Sequence, residues 1–266
     1  TKDLWNNDEI NTVAIVTRHD AHAQQVVDAL KAGKNVFVEK PLALTIDELD
    51  VIDKAYQKAN NSNTVRLMVG FNRRYAPHVF KMKGLLSSHH SPKSIIMTVN
   101  AGAIPGEHWV QDNLVGGGRI IGEGCHFIDL MRHLVGHKIT NFQATMIGNI
   151  PGVEVREDKA SITLSFEDGS FGTIHYLANG GSAFPKERIE VFCDDAVLQM
   201  DNYRVLTGYG WPGFKKMKLF KQDKGQKACA KAFVESIIKG EESPISYEEV
   251  MESSRVSIEV ANSLRN

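Results

Sequence analysis

Three stretches of the sequence carry side chains able to move a proton or hold a charged ligand. In Glu39-Lys40-Pro41, a lysine follows an apolar, β-branched run and precedes a proline. Pro41 fixes the turn and confines Lys40 to extended backbone, which gives the ammonium a defined direction. A lysine held in that way can take or give a proton, or stabilise a developing alkoxide. By spacing alone, Glu39-Lys40 is as readily a solvated pair at a strand end. The second stretch is His126, behind Gly116-Gly117-Gly118 and three residues before Asp129. The ordinary pKa of histidine suits proton transfer near neutrality. A lone histidine is more often structural, but the glycine run and Asp129 favour the functional reading. The third is the polar string Thr17-Arg18-His19-Asp20-Ala21-His22, directly after another apolar run.

These residues need elements to position them. Residues 11–17 form a short run without polar alternation, as in a strand covered on both faces. A helix follows over residues 20–32, with Asp20 at its N-cap and Gly33 at its stop. Residues 35–39 and 66–71 read as two more buried strands, separated by a helix that Thr45 caps. Strand–helix–strand–helix–strand with short connections implies parallel pairing. In such a sheet, ligands bind outside the carboxyl ends of the strands. Both Thr17–His22 and Glu39-Lys40 stand at such ends.

The pattern then changes. A helix is expected near residues 77–86, a strand at 93–100, and a helix over 123–134 stopping at Gly136. Strands dominate from 141 to about 209, with the clearest hairpin at 159–166 and 171–177 around Asp168-Gly169. Helices over 226–239 and 247–264 close the chain. This second part reads as α+β, with an antiparallel sheet backed by helices.

Several strings together resemble one family. They are residues 13–17 with His22, Ala29 to Val36, Glu39-Lys40-Pro41-Leu42-Ala43, and Gly70 to Pro77. Trp109, Gly116-Gly117-Gly118, His126-Phe127-Ile128-Asp129 and Leu134-Val135-Gly136 extend the likeness over nearly the whole chain. The family is that of glucose–fructose oxidoreductase, inositol dehydrogenase and the rhizopine catabolism protein. The resemblance implies NAD or NADP as cofactor and a sugar, cyclitol or nucleotide sugar as substrate. Lys40 and His126 match the catalytic lysine and histidine. Thr17, Arg18, His19, His22, Glu39 and Arg73, with Lys40 itself, fall where the family meets the dinucleotide. The expected fold is α/β, the second half of a Rossmann-type parallel sheet in residues 1–73. A mostly antiparallel open sheet is expected in residues 74–266, for substrate binding and homo-oligomerisation.

Two departures qualify the match. Most members have an aspartate four residues before the histidine; here that position is Gly122, with Glu123 next to it. Glu123 is therefore a further catalytic candidate, or else a charge favouring the helix N-terminus. Gly122 also leaves room for a non-catalytic, dinucleotide-binding regulator of the same fold. The second departure is that no strand, glycine-rich turn and helix precede Thr1. The chain taken alone is therefore expected not to bind NAD(P) and to lack dehydrogenase activity. The free edge of its first strand would be covered by a neighbouring molecule or by residues 1–10.

Other signals are weaker. Gly208-Tyr209-Gly210-Trp211-Pro212-Gly213 satisfies a nucleotide-loop template formally, but it follows strands, contains a proline and precedes no helix. Cys125, His126, His108 and Glu123 lack regular metal-ligand spacing, so no metal is expected. Lys215-Lys216-Met217-Lys218 is too short to imply nucleic acid. The 266 residues have 42% hydrophobic and 24% charged side chains, which is globular composition. The 31 Lys+Arg and 32 Asp+Glu nearly cancel, which gives no general reason to expect nucleic acid or a membrane surface as partner. Three scattered cysteines, no apolar run of membrane-spanning length and no leader at the N-terminus point to the cytoplasm.

Overall fold

The computed structural model describes residues 2–62 and 65–266. A single-turn helix, α1 (Lys2–Trp5), leads into β1 (Thr12–Ile15), α2 (His22–Lys31), β2 (Asn35–Val38), α3 (Ile46–Ser62) and β3 (Leu67–Val69). The three strands pair in parallel in the order β1-β2-β3. Thr45 and Glu48 form a reciprocal cap at the start of α3: the Glu48 amide donates to Thr45 Oγ1, and Glu48 Oε2 accepts from the amides of Leu44 and Thr45. Asp20 is not an N-cap. It lies within a 3-10 turn, His19–Ala21, and Ala21 precedes α2 without a side-chain cap.

The chain then continues through α4 (Pro77–Leu86), β4 (Ser94–Asn100) and α5 (Cys125–Val135), with a π-helical turn, Ile120–Gly124, directly before α5. Strands β5 (Ile139–Met146), β6 (Lys159–Phe166), β7 (Phe171–Leu177), β8 (Glu187–Cys193), β9 (Ala196–Asp201), β10 (Val205–Tyr209) and β11 (Lys216–Lys218) follow. The chain closes with α6 (Gln226–Lys239) and α7 (Tyr247–Arg265). The large sheet has the order β11-β10-β9-β8-β4-β7-β6-β5. Its pairs are antiparallel except β4 with β7. Burial alternates residue by residue along β6 and β7, so one face is core. On that face Gly172 makes room for Met131 of α5, whose Sδ would lie 2.6 Å from a Cβ at that position.

The two sheets share one core. Phe37, on the face of β2 opposite Val36 and Val38, meets Phe233 of α6 at 5.7 Å. Tyr56 of α3 stacks on Tyr247 of α7 at 3.7 Å. The C-terminal helices therefore cover the parallel sheet as well as following the large one. Residues 2–10 add no strand to the free side of β1. Instead Trp5 packs on the core and the Asn7 carbonyl accepts from Lys34 Nζ at 2.8 Å, while Thr1 lies outside the described residues. Among the described residues no helix is long and apolar enough to cross a membrane.

Candidate functional site

Between the carboxyl ends of the parallel strands and the π turn lies a cleft of about 240 Å³. His19, Lys40, Arg73, Trp109, Arg119, Gly122, Glu123 and His126 line it, with Ile104 and Val110. Lys40, the half-buried residue after β2, reaches across so that its Nζ donates to the carbonyl of Gly122 at 2.7 Å. The Lys40–Pro41 peptide is cis. His22 works beneath the site. Its ring nitrogens contact the carbonyl oxygens of Pro41 (2.7 Å) and Thr17 (3.1 Å), tying the ends of β1 and β2 together.

His126 sits on the first turn of α5 and is 5% exposed. Its Nδ1 is buried without a hydrogen-bond partner. Burial, followed by the charges of Arg73 and Lys40, holds its pKa well below the ordinary 6.5. The ring is therefore neutral at physiological pH and a weaker base than its type implies, contrary to the near-neutral value expected from sequence. Asp129 does not support it either. Its carboxylate faces away and makes a two-point ion pair with Arg74 (2.7 and 2.8 Å). Arg74 also reaches Glu249, on α7.

Glu123 is held from three directions. Oε2 accepts from Arg119 (2.7 Å) and from the Tyr176 hydroxyl, and Oε1 accepts from Lys186 (2.8 Å). Burial alone would raise its pKa, but Lys186 and the hydrogen bonds outweigh burial and hold it at about 2. A carboxylate so satisfied is a fixed anion rather than a group that exchanges protons. Arg73 is likewise engaged: both ends of its guanidinium fork donate to Glu187 at 2.9 Å, and it lies 4.8 Å over the ring of Phe127. Lys224 shares the same Glu187 carboxylate.

His19, expected among the cofactor-binding residues at the carboxyl end of β1, lines the cleft. It is 8% exposed, with Nδ1 2.8 Å from the Gly116 carbonyl and its ring edge-on to Trp109 at 4.9 Å. Gly117 and Gly118, both with φ near +75°, form the turn that follows Gly116. Gly122 is glycine for a different reason: a Cβ there would stand 3.1 Å from His19 Cε1.

The remaining candidates lie outside the cleft lining. Thr17 is exposed, with its hydroxyl donating to Gln25 Oε1 at 3.0 Å. Arg18 crosses the face of Trp109 at 5.6 Å. Glu39 is exposed, with its carboxylate lying where a Cβ on Gly70 would come within 3.2 Å. Trp109, Arg119, Tyr176, Lys186 and Glu187 were not named as site residues. Arg119, four residues before Glu123, had a local signal, and Trp109 stood among the strings that carry the resemblance. Of the four residues weighed and set aside as metal ligands, burial pushes the Cys125 thiol up to about 12, and His108 Nδ1 accepts from the Val110 amide. Among the described residues, His89, Cys193 and Asp194 do bring their donor atoms together, at the opposite end of β8 from Glu187.

Comparison with known proteins identifies the family and the fold. The profile of the "Oxidoreductase family, NAD-binding Rossmann fold" matches residues 1–71, and that of the "GFO/IDH/MocA C-terminal domain" matches residues 92–199. The chain belongs to the GFO/IDH/MocA oxidoreductase family. An uncharacterized oxidoreductase, YrbE, of Bacillus subtilis is 29% identical over 211 residues, covering 77% of this chain and 60% of that protein. Myo-inositol 2-dehydrogenase of Thermotoga maritima is 26% identical over 210 residues, with the same coverage of 77% and 60%. The chain thus spans about 60% of the length of these curated relatives. In fold it is similar to levoglucosan dehydrogenase in complex with NADH and levoglucosan, with a TM-score of 0.83 at 20% identity, covering 98% of this chain and 80% of that one.

Proposed function

We propose that this GFO/IDH/MocA chain carries the reacting half of a dehydrogenase site for a monosaccharide or cyclitol. The observation that supports it best is the convergence of Lys40 and His126 on one cleft at the carboxyl end of the parallel sheet. In this reading residues 1–73 form the nucleotide part and residues 74–266 the substrate part. NAD or NADP would supply the hydride acceptor. Thr17, Arg18 and Glu39 are exposed at the carboxyl ends of β1 and β2, where such a cofactor would lie, and Gly70 makes room for the Glu39 carboxylate.

Lys40 uses one ammonium hydrogen on Gly122 and has two left for a substrate hydroxyl. Aimed at the reacting oxygen, they stabilise the alkoxide as it develops. His126, neutral at rest, accepts the hydroxyl proton and becomes the imidazolium. With no carboxylate behind Nδ1, it passes that proton on readily instead of storing it. The volume of about 240 Å³ lies below the range of drug-sized pockets, ~300–1,000 Å³, and favours a single ring over a whole nucleotide sugar.

The outer face of the large sheet supports self-association. Ile96, Phe171 and Phe192 are exposed on it, and both rings flank Ser94 in register. The three cysteines are free and buried, which suits a reducing, cytoplasmic setting. The test is turnover of a polyol and cyclitol panel by the full-length protein with NAD+ and NADP+, followed at 340 nm. Reduction of cofactor with at least one polyol supports the reading. Dinucleotide binding without turnover of any of them would favour the regulatory alternative.

A further inference from the structure

The cleft is rich in hydrogen-bond donors and poor in acceptors. Lys40, Arg73 and Arg119 offer only N–H groups. The carboxylate of Glu123 already accepts from Arg119, Tyr176 and Lys186. The Gly122 carbonyl is taken by Lys40. Each hydroxyl of a polyol must also donate. Beyond the one lone pair left on Glu123 Oε1, the side-chain acceptors on the lining are the imidazoles of His126 and His19.

His19 is built in from three sides. The Gly116 carbonyl, 2.8 Å from Nδ1, can only accept, so Nδ1 carries the proton. Trp109 fixes the ring plane, and the missing side chain of Gly122 makes room for Cε1. Burial, helped by the charge of Lys40 and opposed by the bond to Gly116, lowers its pKa to about 4. In the neutral ring, a protonated Nδ1 leaves Nε2 as an acceptor. Nε2 is not among the buried atoms without a partner, and among the described residues no protein group bonds it. It is therefore accessible, on a ring that lines the cleft.

We propose that His19 is a specificity-determining residue, whose Nε2 accepts a hydrogen bond from the substrate hydroxyl next to the one that reacts. The site would thus select vicinal diols. This rests on the dehydrogenase reading of the same cleft. It also gives Gly122 a role, because any side chain there would crowd the ring that reads the second hydroxyl.

The test uses the fastest polyol of the panel and its monodeoxy analogues, with the full-length protein and its His19→Phe, His19→Gln and Gly122→Ala variants. Both kcat/KM and calorimetric affinity are measured. The wild type should prefer the polyol over the analogue lacking the adjacent hydroxyl by ~10-fold or more, as a site built to bond a hydroxyl does. His19→Phe keeps the edge contact with Trp109 but has no acceptor, so that preference should fall to about twofold or less. Preferences at the other hydroxyls should persist. Gly122→Ala, which leaves His19 in place but displaces its ring, should lower the same preference. His19→Gln, with an amide oxygen as acceptor, should keep part of it. If all variants slow every substrate equally and keep the wild-type preference, His19 is structural and the proposal fails. A wild type that turns over the polyol and all its analogues alike also overturns it, while leaving the dehydrogenase reading intact. A wild type that turns over and binds no polyol overturns both.

Discussion

Replacing Glu123 with Gln should lower stability far more than it lowers the chemical step. The carboxyl is held at about 2 against an ordinary 4.5 by Lys186, Tyr176 and Arg119, acting against burial. At ~1.4 kcal/mol per tenfold change, that gap corresponds to about 3 kcal/mol favouring the folded chain. The side chain is 20% exposed, so solvent screening reduces the figure only moderately. The sign follows from linkage. The folded-state value lies below the unfolded one, so the stabilisation is complete above pH 4.5 and is lost as pH falls through about 2. Melting curves of parent and Glu123→Gln from pH 7 to pH 3 measure it directly. At pH 7 the variant should melt roughly 5–10 °C lower, and the difference should narrow below pH 4.5. Below the melting range, its turnover should fall less than about tenfold, because the group is not a proton carrier. A variant with unchanged melting and turnover reduced by ~10² would place Glu123 in the chemistry and refute this reasoning. So would a deficit that persists undiminished at pH 3.

Other variants test the remaining roles. Lys40→Met should leave melting nearly unchanged and lower kcat by ~10² or more, and Lys40→Arg should not restore it. His126→Asn should slow turnover by roughly 10²–10⁴ with little change in dinucleotide affinity, measured by nicotinamide fluorescence. Asp129→Asn should destabilise by roughly 3–5 kcal/mol in denaturant titration, because Arg74 is left buried with half its pairing. Sedimentation of an Ile96→Lys, Phe171→Glu double variant should show smaller particles than the parent. A parent that is already monomeric at micromolar concentration would remove the sheet interface.

Much of the fold was legible because its signals are local. Pro77 at the start of α4, Gly136 in left-handed conformation after α5 and the Thr45–Glu48 cap each act within one turn of chain. The hairpin around Asp168-Gly169 pairs Lys159 with Leu177 as its alternation implies. The parallel run β1-β2-β3 was equally plain, since apolar strands joined by amphipathic helices admit few topologies. The packing of α6 on the parallel sheet was not legible. Phe37 and Phe233 are far apart in the chain, and neither carries a mark of its partner.

The site divides along the same line. Lys40 and His126 could be found because a proline and a glycine run stand beside them. What those residues experience depends on partners from distant strands. Asp129, one turn from His126, looked like its support, yet it belongs to Arg74, a residue that sequence could place only loosely at the join. Adjacent arginines turn to opposite sides, Arg73 to β8 and Arg74 to α5 and α7, so the crossover between the sheets is pinned at two points. That pinning holds the end of β3 against the substrate side of the cleft. Glu123 stands next to the position where an aspartate was expected. Its three donors come from Arg119 just before the π turn, from β7 and from the loop before β8, which makes it a strut between those elements. The space the aspartate would have used at Gly122 is instead closed by His19, from the other sheet. Gly122 is therefore better understood as one half of a contact with His19 than as a lost catalytic residue. A change at either position should be felt at the other.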